Sequence, residues 1–270
     1  MAQEIVEIDI ERIIKARMGS KAKYVPRFVF SWLKDFIHQD FINTYLRRGK
    51  VGVDFCKYAV EYLGVNLTVE GKENLPPKDA GYYTFVSNHP LGAIDGVTLG
   101  MIIGEHYDGK VKYLVNDFLM NLKGLAPLCV PVNKVGNQAR NLPEMVESMF
   151  SGEQHVIMFP AGLCSRRTKG VIHDQPWQKT FIVKSRKHKR DVVPIHFIAQ
   201  NSSRFYTVAN ICKWFHLPNF AMALLPDEMY RSQGKHFTVK IGKPIPWETF
   251  DKSKSAMEWA KYVEDITYSL

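Results

Sequence analysis

The chain has 270 residues, a net charge of +9 and the apolar content of a globular protein, enough for one large α/β core. It has no low-complexity segment, no internal repeat and no apolar stretch approaching the ~20 residues that span a bilayer. Its four cysteines (Cys56, Cys129, Cys164, Cys212) show neither paired spacing nor a metal-ligand cluster with His, so a reduced, cytoplasmic protein without a metal site is expected.

The opening residues, MAQEIVEIDIERII, are acidic and lack an apolar core run, which predicts no signal peptide. Residues 1–63 read as helical. An amphipathic piece over 5–16 is broken at Gly19-Ser20. In the next piece, over 25–37, Val25, Phe28, Val29, Trp32, Leu33, Phe36 and Ile37 fall at the spacing of one helix face. Basic residues flank it: Lys21, Lys23, Arg27, Lys34, Arg47, Arg48 and Lys50. Such a face suits a helix lying in a membrane interface, and equally a helix docked on its own core; periodicity does not separate the two. A further helix over 51–63 ends at Gly64. The expected division is a membrane-associating helical region, residues 1–63, and an α/β domain, residues 64–270.

Beyond Gly64, strands and helices alternate. Strands are expected over 65–69, 82–86, 111–116, 128–132, 155–159, 191–198 and 237–241. Helices are expected over 93–101, 117–122, 143–150, 177–186, 205–215 and 253–268. This pattern predicts an α/β fold with a mixed, largely parallel central sheet flanked by helices, under an N-terminal helical cap.

The stretch YYTFVSNHPLGAIDG, residues 82–96, organises the rest. Its apolar run must stop at Ser87-Asn88-His89-Pro90, because Pro90 cannot donate to a sheet ladder and holds His89 extended. Gly92 permits a turn into the next helix. His89 therefore stands at the C-terminal end of a strand, where α/β sheets build sites, with Asp95 nearby. A neutral imidazole takes a proton near pH 7, and a carboxylate on its other nitrogen fixes the tautomer. The same two residues also suit a strand-ending His and an Asp serving a helix N-terminus. Asn88 and Ser87 either shape the site or serve the turn.

Between Arg166 and Arg190 stand nine Lys or Arg and one acid, Asp174. A charge run is commonly a solvated face; this excess suggests an anionic partner, either a lipid headgroup surface or an acidic carrier protein. No nucleic-acid motif is present, and no nucleic-acid partner is expected. No G-x-S-x-G string supports an α/β hydrolase.

Four blocks in order carry a resemblance: Asn88-His89-Pro90-Leu91-Gly92-Ala93-Ile94-Asp95; Pro131-Val132-Asn133-Lys134; the run from Phe159-Pro160-Ala161-Gly162 to Arg166-Arg167; and Val192-Val193-Pro194-Ile195. Together they resemble the glycerolipid acyltransferase superfamily, which includes the lysophosphatidic acid acyltransferases. The match covers residues 65–198 in order and spacing. That family usually has four residues between His and Asp, and this chain has five; Ala161 replaces its third-block Glu, and the nearby Arg is displaced by two positions to Arg166. NHPLGAIDG, FPAG and the D-x-x-W string at Asp174–Trp177 look more like a hemolysin-like branch, which includes bacterial enzymes that add a second acyl chain to lyso-amino-acid lipids.

The resemblance implies that His89 is a general base oriented by Asp95, acting on an acceptor hydroxyl that attacks an acyl thioester. It implies no bound cofactor, with acyl carrier protein or coenzyme A bringing the acyl group as co-substrate. Lys134, Arg166 and Arg167 are the candidates to hold the acceptor's anionic group, against ordinary surface charge for each. Asn88 is a further candidate contact, and Gly162 is more plainly a backbone requirement. The implied place is peripheral, at the cytoplasmic face of the inner membrane, on a lipid surface that holds the lyso-lipid acceptor. A glycine or ornithine lyso-lipid is the first acceptor reading and 1-acylglycerol-3-phosphate the second. A non-catalytic lipid-binding protein on the same scaffold is the reading from outside enzymology.

Overall fold

The computed structural model describes residues 7–116, 122–132 and 138–270. Four helices lead: α1 (Ile10–Met18), α2 (Arg27–Phe36), α3 (Gln39–Leu46) and α4 (Val53–Tyr62). Asp9 starts α1 by accepting the backbone N–H groups of Glu11 and Arg12, and the expected break falls at Gly19. Then come β1 (Asn66–Glu70), β2 (Thr84–Ser87), α5 (Ile94–His106), β3 (Val111–Asn116), β4 (Cys129–Val132), α6 (Gln138–Ser151) and β5 (His155–Met158). A hairpin follows, β6 (Arg166–Thr168) and β7 (Val171–His173), then α7 (Thr180–Lys187), β8 (Val192–Ile198), α8 (Ser203–Trp214), α9 (Leu225–Tyr230), β9 (His236–Ile241) and α10 (Ala256–Ser269).

Seven strands form one sheet in the order β1-β9-β8-β2-β5-β3-β4. Every pairing in it is parallel except β8 with β9, which is antiparallel. The expected mixed, largely parallel sheet is thus observed. The central strands β2 (TFVS) and β5 (HVIM) are buried at every position, as strands covered on both faces must be. Pro194 lies at the end of the ladder between β8 and β9, where its carbonyl still accepts the Gly242 N–H at 2.8 Å.

Alternate residues of β2 feed opposite cores. Phe85 joins Phe55, Cys56, Leu99, Ile103 and Phe197 on the α4–α5 side, while Val86 joins Phe150, Trp177, Phe181 and Val263 on the other. The α4 side chains thus share the main core with strands beyond residue 64, across the expected boundary. A smaller third cluster, with Cys164, Phe205, Tyr206, Ala209 and Leu224, seats α8 beside the C-terminal end of β2.

Several elements differ from expectation. Helix α6 starts at Gln138, before the expected 143, so that Pro143 lies inside it. The β6–β7 hairpin turns through Lys169 and Gly170, both at positive φ, a turn that the string TKG signals weakly. The helix expected over 117–122 falls, but for residue 122, outside the described residues.

The 166–190 basic run is partly structural. Arg190 is buried and donates to the carbonyls of Phe150, Gln154 and Gly152 at 2.7, 2.6 and 2.6 Å. Lys184 and Lys187 both bind Glu147.

Candidate active site

Strand β2 ends at Ser87, and the side chain of the next residue continues the ladder in place of backbone. The amide of Asn88 donates to the Phe197 carbonyl of β8 at 3.0 Å and accepts the Phe197 N–H at 2.7 Å. Asn88 is 3% exposed, and its amide is spent on β8. Ser87 Oγ donates to the Asn88 carbonyl at 2.9 Å. These bonds fix the exit angle of the chain, and His89 follows.

His89 Nδ1 lies 3.0 Å from Asp95 Oδ2. The extra residue between them is taken up by a loop that closes on the carboxylate itself. The backbone N–H groups of Leu91 and Gly92 both donate to Asp95 Oδ2, at 2.9 and 3.2 Å, and Gly92 sits at φ 84°, a conformation that favours glycine. Asp95 is fully buried in the first turn of α5. Burial alone would push its pKa up; the His89 charge and hydrogen bond, with the two loop N–H groups, overcome that and hold it below the ordinary carboxylate value. For His89, burial disfavours the imidazolium, and the Asp95 carboxylate outweighs it, so its pKa lies above the ordinary 6.5. An acceptor on Nδ1 leaves the lone pair on Nε2, and Nε2 makes no hydrogen bond among the described residues. The ring stacks on Phe159 at the end of β5, centroids 4.1 Å apart.

The β6–β7 hairpin holds the base from behind. The Asp174 carboxylate accepts the His89 N–H at 3.1 Å, the Ser165 hydroxyl at 2.6 Å and the Trp177 indole N–H at 3.1 Å. The Ser165 N–H donates to the His89 carbonyl at 2.9 Å. The sequence offered D-x-x-W only as a family likeness; its two ends meet here, under the base.

Arg166 stands at the start of β6. Its guanidinium donates to the Cys164 carbonyl at 2.6 Å and lies 5.5 Å from the Phe205 ring centroid. It has no acidic partner among the described residues, and it is close enough to His89 to oppose its protonation. Arg167 points instead to α8, 3.2 Å from Thr207 Oγ1 and 3.5 Å from Ser203 Oγ. Gly162 takes a positive φ of 68° in the turn after β5, with open space where a side chain would be. Lys134 lies outside the described residues. The site thus joins His89, Asp95 and Arg166, and adds Asp174 and Ser165. His155 of β5 is a core residue: burial, with Arg190 nearby, lowers its pKa to about 4.

An imidazole with its Nε2 lone pair exposed, held by a carboxylate at the end of a largely parallel sheet beside a guanidinium that has no acidic partner among the described residues, can activate a hydroxyl near an anionic group. The chain belongs to the acyltransferase family, whose model, described as Acyltransferase, matches residues 12–270. It is 56% identical over 266 residues to the lyso-glycine lipid O-acyltransferase of Bacteroides thetaiotaomicron, covering 97% of each chain. It is 55% identical over 266 residues to the protein of the same name from Phocaeicola vulgatus, covering 97% of this chain and 95% of that one. The fold is similar to the crystal structure of the 1-acyl-sn-glycerophosphate acyltransferase PlsC from Thermotoga maritima, with a TM-score of 0.51 and 16% identity over 96% of this chain and 95% of that one.

Proposed function

We propose that this chain moves a fatty acyl group from a thioester to the free hydroxyl of a lyso-glycine lipid, a step in membrane lipid synthesis. The observation that carries the reading is Nε2 of His89, without a hydrogen bond among the described residues, backed by Asp95 and lying near Arg166. The near-full-length relatives named lyso-glycine lipid O-acyltransferase support the acceptor class.

His89 Nε2 takes the acceptor's hydroxyl proton as its oxygen attacks the thioester carbonyl carbon. The Asp95 carboxylate stabilises the imidazolium that forms. When the tetrahedral intermediate collapses, the C–S bond breaks and the thiolate leaves with the proton from His89. One ester forms, one thioester is consumed, and no acyl-enzyme is needed. Arg166 pairs with the glycine carboxylate of the acceptor, which a guanidinium fork matches as well as it matches phosphate. Ala161 stands where a carboxylate would repel that group.

The donor is an acyl thioester of acyl carrier protein, whose acidity suits the basic surface, or of coenzyme A. The enzyme works at the cytoplasmic face of the inner membrane as a peripheral protein. Exposed Tyr24, Phe28 and Trp32, among Lys21, Lys23 and Arg27, support membrane contact through α2 and its lead-in. No helix among the described residues is long and apolar enough to cross a membrane.

The test is to offer the purified protein an acyl thioester, of acyl carrier protein or of coenzyme A, with N-(3-hydroxyacyl)glycine or with lysophosphatidic acid. Transfer to the glycine lipid is expected. Transfer to lysophosphatidic acid alone would overturn the acceptor assignment, and no transfer with either thioester would favour a lipid-binding role.

A further inference from the structure

Trp214 and Phe215, at the end of α8, stack on each other with ring centroids 5.4 Å apart, yet they are 78% and 63% exposed. Ile211, Leu217, Phe220 and Met222 around them are exposed as well. This is a docked element, since Phe205, Ala209, Ala221 and Leu224 of the same segment are buried in the third core cluster. One side of the segment holds it to the protein, and the other presents aromatic and aliphatic groups to solvent.

Residues 201–226 contain no Asp or Glu, while Lys213 and His216 lie among them; Arg204 pairs with Asp227, just beyond. The surface is also continuous with a second exposed set. Phe36 of α2 packs on the cluster under α8, the Arg204 guanidinium lies 6.0 Å from its ring, and Trp32 stacks on it at 5.1 Å. Trp32 and Phe28, one and two turns back along α2, are exposed. Finally, α8 touches the site: Phe205 lies under Arg166, and Ser203 and Thr207 meet Arg167.

We infer that residues 211–222 are a second membrane-docking segment, which with α2 seats the enzyme on an anionic phospholipid bilayer, Arg166 toward it. Aromatic rings mixed with cations and free of acids match the headgroup boundary of such a bilayer. An acidic protein partner would be met by clustered cations, and here aromatic rings predominate. The use of the surface rests on the lyso-lipid reading: an acceptor held in the bilayer by its acyl chain enters headgroup-first beside α8.

The four native cysteines are all buried, so Trp214→Cys gives one site for an environment-sensitive fluorophore on the whole protein. Adding phosphatidylethanolamine–phosphatidylglycerol vesicles is expected to shift its emission to the blue; no shift overturns the inference. A second variant, Trp214→Glu with Phe215→Glu, is expected to lower partitioning onto those vesicles about tenfold or more. It should lose transfer to acceptor embedded in vesicles and keep transfer to acceptor dispersed in detergent. Unchanged partitioning, with either a dimer turned into monomer or a lost affinity for acyl carrier protein, would give the surface to that partner and overturn the inference. Wild-type vesicle binding without transfer to any glycine lipid would sink the acceptor reading and leave the docking segment standing.

Discussion

The carboxylate of Asp174 lies 3.1 Å from the backbone nitrogen of His89, a residue 85 positions earlier in the chain. Ser165 closes the opposite side, its N–H on the His89 carbonyl and its hydroxyl on Asp174. Both backbone polar groups of the base are thus held from the two ends of one hairpin, which fixes where Nε2 points. Burial pushes the Asp174 pKa up, and its donors restrain the rise.

Asp174→Asn replaces one acceptor oxygen with a donor facing the Ser165 hydroxyl or the Trp177 indole. A displaced base costs rate steeply, so kcat is expected to fall about 10²-fold with little change in the acceptor KM. The buried mismatch should lower stability by about 1–3 kcal/mol in urea unfolding. A stability loss with kcat intact would make Asp174 a residue of the fold alone.

As the proposed base, His89 must be neutral to act, and Asp95 raises its pKa. The kcat/KM profile is therefore expected to rise with pH and level off above 6.5, its acid limb reporting the imidazole. In Asp95→Asn the main carboxylate is gone, leaving burial and Arg166 against the lesser pull of Asp174, so the limb should move to lower pH while the plateau falls ~10²-fold or more. The same limb should move less in Asp174→Asn, because Asp174 is the lesser of the two charges on the ring. A limb that stays put in Asp95→Asn would assign it to another group.

The parts of this site carried by local rules were legible in the sequence. Pro90 ends β2, Gly92 makes the turn, and so His89 and Asp95 meet. What was not legible depends on contacts between distant segments. Asn88 was a candidate for substrate, but its amide completes a sheet ladder with Phe197, 109 residues away. Arg190 was counted with the surface charge, yet it is itself buried and binds three backbone carbonyls. In the stripe of α2, Phe28 and Trp32 face out, while Phe30, outside the stripe, is the buried one. Helical spacing finds a face without saying what covers it. The β6–β7 hairpin was hidden because its strands are three residues each and one is written in arginines.

Gly92→Ala tests the loop that closes the dyad. A Cβ there would lie 2.4 Å from Cys164 Sγ, at a φ of 84°. Left-handed backbone and overpacking together should cost about 2 kcal/mol or more, measured by urea unfolding. Activity should fall as well, because the Gly92 and Leu91 N–H groups hold Asp95. Adding Cys164→Ala removes the shortest contact but leaves the tight approach to Leu225 and the strained φ, so the double variant should recover only part of the stability. Full recovery would show that sterics alone set the requirement for glycine.

Arg166 offers the test of the proposed acceptor. If its guanidinium pairs with the lipid carboxylate, Arg166→Ala should lower kcat/KM for N-(3-hydroxyacyl)glycine by about 10–100-fold, the ~1.5–3 kcal/mol of a charge-assisted bond. Arg166→Lys keeps the charge, loses the fork and should fall between. Arg167→Ala should change little, since that guanidinium is directed to α8. Arg166 also opposes protonation of His89, so its removal should move the acid limb upward, the reverse of Asp95→Asn. The decisive comparison uses the methyl ester of the acceptor, which has the same hydroxyl and chain but no charge. Wild type should lose the same factor on the ester that Arg166→Ala loses on the acid, and Arg166→Ala should barely distinguish the two, as for partners in one interaction. An ester penalty of equal size in wild type and variant would place the carboxylate on another cation.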